Sequence, residues 1–166
     1  MNRVHIIGRK NSGKTTLIEE LLHYLTAQGY RVGTVKHTHH RHELDVPGKD
    51  SHRHRLAGAA VVAILSPNMN AVFWNDSHPS AEQDRYERLS QQFSDCDLVL
   101  VEGNSASTGT KVEVWRQETD TAPIAANDPT VVAIITDDVC PVSSIPAWPR
   151  KNVSWLSERL LQIAGR

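Results

Sequence analysis

Gly8-Arg9-Lys10-Asn11-Ser12-Gly13-Lys14-Thr15 satisfies the pattern G-x-x-x-x-G-K-[ST] at every position. The glycines let the chain curl so that backbone N–H groups converge on phosphate oxygens. Lys14 then reaches toward β- and γ-phosphates, and the Thr15 hydroxyl sits on Mg²⁺. Residues 3–7 read as a short buried strand. Residues 16–28 read as a helix with Leu17, Leu21 and Leu25 on one face and Gly29 as its stop. Strand, loop and helix in that order put a helix N-terminus against the phosphate site, where its partial positive charge adds to the binding. A glycine-rich turn that only joins strand to helix is the bland alternative. The flanking elements favour phosphate binding.

At 166 residues, with 39% hydrophobic content, the chain is read as one domain, 1–166, with a real core. A net charge of −1 argues against generic binding to nucleic acid or to an anionic membrane, both of which draw on excess Lys and Arg. Cys96 and Cys140 stand far apart and outside any C-x-x-C pattern, so reduced, buried thiols are expected. No basic segment followed by an apolar stretch opens the sequence, and no apolar run approaches a membrane span, so the expected location is the cytoplasm.

Beyond the first helix, residues 31–36 read as a second strand. A polar, histidine-rich stretch follows from 37 to 49, and Asp50 or Ser51 is placed to cap a short helix ending at Gly58. The apolar run 60–65 has the signature of a strand covered on both faces. Pro79 suits the first turn of a helix reaching 94, with Asp84 and Arg88 at i, i+4. Residues 97–102 and 131–136 are further buried-type strands, and Asn152 or Ser154 caps a last helix with Leu156, Leu160 and Ile163/Ala164 inward. Strands alternating with helices predict an α/β fold of the P-loop type, a mostly parallel sheet flanked by helices. Residues 111–116 alternate Val and Trp with charge, which predicts a half-exposed antiparallel strand. Paired with residues 71–74, they would form a short ribbon. Phe73, Trp74 and Trp115 on it would need cover, from a second subunit in a homodimer or from packing within one chain.

Leu98-Val99-Leu100-Val101-Glu102-Gly103 is the second element expected at a phosphate site. A strand of this kind ends beside the loop, where its carboxylate holds Mg²⁺ or orients water. Gly103 would offer a backbone N–H to a γ-phosphate. Lys14 and Glu102 are the candidate catalytic residues. Lys36-His37-Thr38-His39-His40-Arg41-His42-Glu43-Leu44-Asp45 follows the second strand, where open α/β sheets carry ligand loops. Three readings compete for it and the nearby His52 and His54: Zn²⁺ or Ni²⁺ binding, phosphate recognition with Lys36, Arg41, Arg53 and Arg55, or a solvated structural loop. Asp45 is a candidate to complete the Mg²⁺ shell. His5 and His23 carry no assignment.

The base is poorly encoded. No Asn-Lys-x-Asp occurs, although Thr136-Asp137-Asp138 ends a strand where a base reader can sit and Asn127-Asp128 precedes it. Both are also ordinary turn sequences. With no glutamine or arginine finger assignable, slow hydrolysis or pure binding is the expectation.

The ordered set Gly8–Thr16, then Val35-Lys36-His37-Thr38-His39-His40, then 45–51 and 55–59, resuming at Val101-Glu102-Gly103, 111–116 and 127–138, resembles the MobB family of molybdopterin-guanine dinucleotide biosynthesis adapter proteins. The resemblance implies a GTP-binding dimer with weak GTPase activity that assists the guanylyltransferase joining GMP to molybdopterin. Carried across by motif, Gly8, Arg9, Lys10, Asn11, Ser12, Gly13, Lys14, Thr15 and Thr16 would hold phosphates, and Thr15 and Glu102 magnesium. The loop from His37 to Asp45, with Lys49, Arg53 and Arg55, would line a site for nucleotide, pterin or partner. One departure stands out: the family follows Glu-Gly with an aromatic and a lysine, whereas Asn104-Ser105 follow here. Residues 104–110 are small and polar and are expected to be mobile, with Lys111 approaching the place of the missing lysine. A small-molecule kinase with Arg53 and Arg55 as lid residues, and a GTP-driven metal-delivery protein using the histidines, are the alternatives.

Overall fold

The computed structural model describes residues 1–38, 40, 42–74 and 82–165, the last stretch without the side chains of 82–84. The chain forms two compact units, one of residues 1–38 and 87–166 and the other of residues 39–86.

The first unit is built on a sheet of six strands: β1 (Arg3–Ile7), β2 (Val32–Lys36), β5 (Leu98–Glu102), β6 (Lys111–Val114), β7 (Val131–Ile135) and β8 (Ala147–Trp148). They lie in the order β2-β5-β1-β6-β7-β8, and every pairing is parallel. Helices α1 (Lys14–Ala27) and α4 (Val153–Ile163) contribute Leu17, Leu21, Leu25, Leu156 and Leu160 to the core that holds Val4, Ile6, Leu98 and Leu100. A smaller cluster gathers Ile7, Trp115, Ala125, Val131 and Ile134. Asn152 caps α4 by accepting from the Trp155 N–H, as its position before the apolar pattern predicts. Ile163 and Ala164, expected inside with Leu156 and Leu160, are only half-buried. At the end of α1, Gly29 has φ +87° and donates to Thr26 O while Tyr30 N donates to Leu25 O, the paired bonds of a Schellman stop. The predicted fold class is borne out.

The second unit carries α2 (Asp50–Leu56) and an antiparallel ribbon of β3 (Val61–Leu65) and β4 (Asn70–Trp74). Helix α3 (Glu82–Leu89) follows β4, and a 3-10 turn over Ser90–Phe93 extends it toward the expected end. Pro79 and the side chain of Asp84 lie outside the described residues.

The ribbon is therefore real, but its strands are not the expected pair. Residues 111–114 are a central parallel strand, all buried, because their charges find partners: Lys111 Nζ lies 2.8 Å from Asp128 Oδ2, and Glu113 accepts from Ile124 N and Ala125 N. Alternating charge signals solvent only when the charges lack such partners. The apolar run 60–65, expected to be covered on both faces, is instead a ribbon strand with Val61 60% and Leu65 80% exposed. Trp115 is buried under its own sheet, its Nε1–H donating to Thr121 O at 2.8 Å. Both cysteines are free, as expected, but half-buried rather than buried. At α2 the N-cap is Lys49, without a side-chain cap bond, and Asp50 is the first helical residue.

Candidate functional site

Register brings the site together in the first unit. Ile6 of β1 and Lys36 of β2 both pair with Glu102 of β5, so three parallel strands end level at the sheet's carboxyl edge. The Gly8–Thr15 loop leaves β1 at that edge. Gly8 has φ +143°, and a Cβ there would meet Val114 O at 2.3 Å, so only glycine lets the loop pass β6 this closely. Asn11 and Gly13 also take positive φ, of 64° and 92°. Helix α1 then starts at Lys14 with no side-chain cap and no acid in its first turn. Its first N–H groups are left for an anion.

Lys14 Nζ donates to Gly8 O at 2.9 Å and Arg9 O at 2.7 Å, so the ammonium is held over the loop's own carbonyls. Burial lowers its pKa, with the Glu102 charge opposing and the Lys36 charge reinforcing that effect. The Thr15 hydroxyl donates to Glu102 Oε1 at 2.9 Å, and Lys36 Nζ lies 2.5 Å from the same oxygen. Burial alone would raise the pKa of Glu102. Hydrogen bonds from Lys36 and Thr15 and the charges of Lys36 and Lys14 outweigh it and hold the carboxyl below its ordinary value. A hydroxyl and an ionised carboxylate thus meet at the mouth of a loop with basic and N–H lining, which is the donor set a hard divalent cation and a polyphosphate need. Arg9, Lys10, Asn11, Thr15 and Thr16 are exposed or half-exposed at this mouth, whereas Ser12 is buried beneath it.

Gly103 departs from expectation. Its N–H donates to Ile6 O at 2.9 Å as a last rung between β5 and β1, so that group is already committed within the sheet. Residues 104–110, expected to be mobile, are tied down. Lys111 Nζ donates to Ser105 O at 2.9 Å and to Ser107 O, while Ser107 Oγ meets His5 Nε2 at 3.1 Å. Lys111 thus serves this loop as its anchor, and His5, to which the sequence assigns no role, helps to hold it.

His37 lies beside Gly103, its N–H donating to Glu102 O at 3.0 Å. The remaining candidates of the histidine-rich stretch belong to the second unit. His40 is exposed, and its ring stands edge-on to that of His42 at 6.0 Å. His39 and Arg41 lie outside the described residues. Asp45 is buried; its Oδ1 accepts from Val46 N and Ser51 Oγ, while its Oδ2 accepts no hydrogen bond among the described residues. Arg55 pairs with Glu43 at 2.5 Å and Arg53 with Asp50 at 3.7 Å, while Lys49 is exposed. Among the described residues, no group of three or more His, Cys, Asp or Glu converges as a metal site.

A cleft of about 580 Å³ opens next to the loop in the first unit. It runs from Ser12, Gly13 and Thr16 past Trp115 and Arg116 to Thr136, Asp137, Asp138 and Lys151. Asp137 Oδ1 accepts from Lys151 N and Asp138 Oδ2 from Gln117 N, so both carboxylates are held at its far wall. Arg116 lines this cleft, a place that sequence reasoning misses because the charge alternation of 111–116 points to a peripheral strand. As a core parallel strand, the segment directs its carboxyl end to the ligand edge.

The model of the family described as molybdopterin guanine dinucleotide synthesis protein B, MobB, matches residues 3–137. A molybdopterin-guanine dinucleotide biosynthesis adapter protein of Haemophilus influenzae is 37% identical over 134 residues, covering 80% of this chain and 72% of its own. Its namesake in Escherichia coli is 38% identical over 107 residues, 63% of this chain and 60% of that one. Among solved structures, Bacillus subtilis MobB superposes with a TM-score of 0.73 at 26% identity, over 97% of this chain and 96% of that one. Among the described residues no helix is long and apolar enough to cross a membrane.

Proposed function

This chain belongs to the MobB family, and we propose on that footing that it is a GTP-binding adapter that assists attachment of GMP to molybdopterin. The observation that carries the nucleotide half of the reading is the Thr15–Glu102 hydrogen bond at the mouth of a loop that ends in an uncapped helix N-terminus. Gly8, Arg9, Lys10, Asn11, Ser12, Gly13, Lys14, Thr15 and Thr16 cradle the phosphates. Thr15 and Glu102 hold Mg²⁺, and the cleft toward Asp137 and Asp138 takes the base. Guanine fits acidic readers because its N1–H and amino group both donate, whereas adenine presents an acceptor at N1. When bound, Mg²⁺ supplies charge neutralisation for the phosphates.

Turnover is at most slow, so the protein acts through its nucleotide-bound form on the molybdopterin guanylyltransferase. It does so in the cytoplasm and as a homodimer. Support for the dimer comes from the ribbon: Val61 pairs with Trp74 and Ala63 with Val72, so one face presents Val61, Leu65, Val72 and Trp74, all exposed.

The test is a reconstituted guanylyltransferase reaction with GTP and molybdopterin, with and without this chain. Added wild-type protein is expected to raise the yield of dinucleotide, and Lys14→Ala to abolish the gain. Equal stimulation by Lys14→Ala, or none by wild type, would contradict the reading.

A further inference from the structure

Two clefts of the first unit share a wall. The smaller, about 370 Å³, is lined by Asn11, Lys14 and Thr15, the larger by Asp137 and Asp138 among others, and Gly13, Thr16 and Arg116 line both. Gly13 and Thr16 belong to the loop and to the first turn of α1, where N–H groups await an anion. Arg116 faces them from the end of β6.

Its position is fixed by the backbone on either side. Trp115 N donates to Ile135 O at 3.1 Å, and Gln117 N donates to Asp138 Oδ2 at 2.9 Å, so the chain is bonded to β7 and to the loop after it just before and just after Arg116. The side chain is not spent. Its Nη2 lies 3.5 Å from Glu118 Oε2, beyond a good hydrogen bond, and both groups are more than half exposed. A pair of that kind contributes little and is readily exchanged for a better anion.

A ligand that fills both clefts must carry a compact anion against α1 and a larger planar part toward Asp137 and Asp138, joined where Arg116 stands. A nucleoside 5′-di- or triphosphate has that shape, and the α-phosphate is the junction between its terminal phosphates and its nucleoside. We propose that Arg116 binds the α-phosphate of the nucleotide, in cis, by a charge-assisted contact. The inference rests on the nucleotide-binding reading above and adds to it a residue outside the loop motif.

The test is calorimetric titration and competition with GTP, GDP, GMP and guanosine on wild type, Arg116→Ala, Arg116→Lys and Lys14→Ala. Because GMP, GDP and GTP share the α-phosphate, Arg116→Ala is expected to weaken all three by a similar factor, roughly ten- to a hundredfold, and to leave guanosine unchanged. Arg116→Lys keeps the charge and loses the fork, so it should recover part of the affinity. Unchanged affinity for GMP and GDP, a loss confined to GTP, or an equal loss for guanosine would each overturn the proposal. If wild type binds and Lys14→Ala does not, indifference to Arg116→Ala sinks this inference alone. If wild type binds no nucleotide, the underlying reading falls and this inference with it. An unchanged melting temperature for Arg116→Ala, expected for a half-exposed side chain, separates lost contact from lost fold.

Discussion

The Thr15 hydroxyl donates to Glu102 Oε1 across 2.9 Å, joining residues 87 positions apart. The parallel pairing of Ile6 with Glu102 sets this contact, since β1 ends one residue later and hands the chain to the loop that carries Thr15. Glu102→Gln keeps the size of the side chain and removes its charge. The part of GTP affinity that depends on Mg²⁺ should then fall by about tenfold or more, while affinity in excess chelator stays level or rises. Titrations with and without Mg²⁺ measure both. An undiminished Mg²⁺ effect would remove Glu102 from the cation site.

Gly8→Ala tests the loop's close approach to β6. The new Cβ would lie 2.3 Å from Val114 O and 2.7 Å from Ser12 Oγ, at a backbone angle that L-residues rarely adopt. The expected cost is at least about 2 kcal/mol, with nucleotide binding lost. Urea unfolding gives the first quantity and titration the second. Wild-type stability would mean that the loop relaxes away from β6.

The Lys111–Asp128 pair gives a stability prediction with a pH signature. Lys111 keeps only 3% of its side chain exposed, so Asp128→Ala leaves its buried ammonium on the Ser105 and Ser107 carbonyls without a counter-charge and should cost about 3 kcal/mol. Burial would raise the pKa of Asp128, but hydrogen bonds from Lys111 and Thr130 outweigh it and the net shift is downward from 3.8. A depressed carboxyl stabilises the fold fully above its unfolded pKa, and that contribution is lost as pH falls through the folded value. Wild type should therefore lose stability below about pH 4, and Asp128→Ala should show a shallower acid slope. Parallel slopes in the two proteins would contradict the assignment.

In the second unit, the hydrogen bond from Arg55, then that from Asp45 N, holds Glu43 down to about 2 from an ordinary 4.5. Its contribution is present above 4.5 and lost as pH falls toward 2. A carboxyl carbon titration by NMR should place Glu43 near the lower value and return it toward 4.5 in Arg55→Ala. No difference between the two proteins would mean that the Glu43–Arg55 pair does not persist in solution.

How much the sequence discloses follows from how local each signal is. The phosphate loop, its strand and its helix are contiguous, so Gly8–Thr15, the face of Leu17, Leu21 and Leu25, and the Gly29 stop are all legible. Glu102 is legible because four apolar residues ending in a carboxylate are what a P-loop sheet sets beside its loop. Strand 111–114 misleads because its charges are neutralised by Asp128 and by the N–H groups of Ile124 and Ala125, none of which a local pattern displays. Arg116 is hidden by the same pattern. The run 60–65 fails in the opposite direction: apolar content foretells a core, but the strand's antiparallel partner β4 leaves one face open.

The Gly8–Thr15 loop is proposed to hold a guanine nucleotide with Mg²⁺. Calorimetric titration of the wild-type chain with GTP and with ATP, each with and without Mg²⁺, tests it most directly. Tight, Mg²⁺-dependent binding of GTP and weak or no binding of ATP is the expected result. Preference for ATP, or GTP binding indifferent to Mg²⁺, would contradict it.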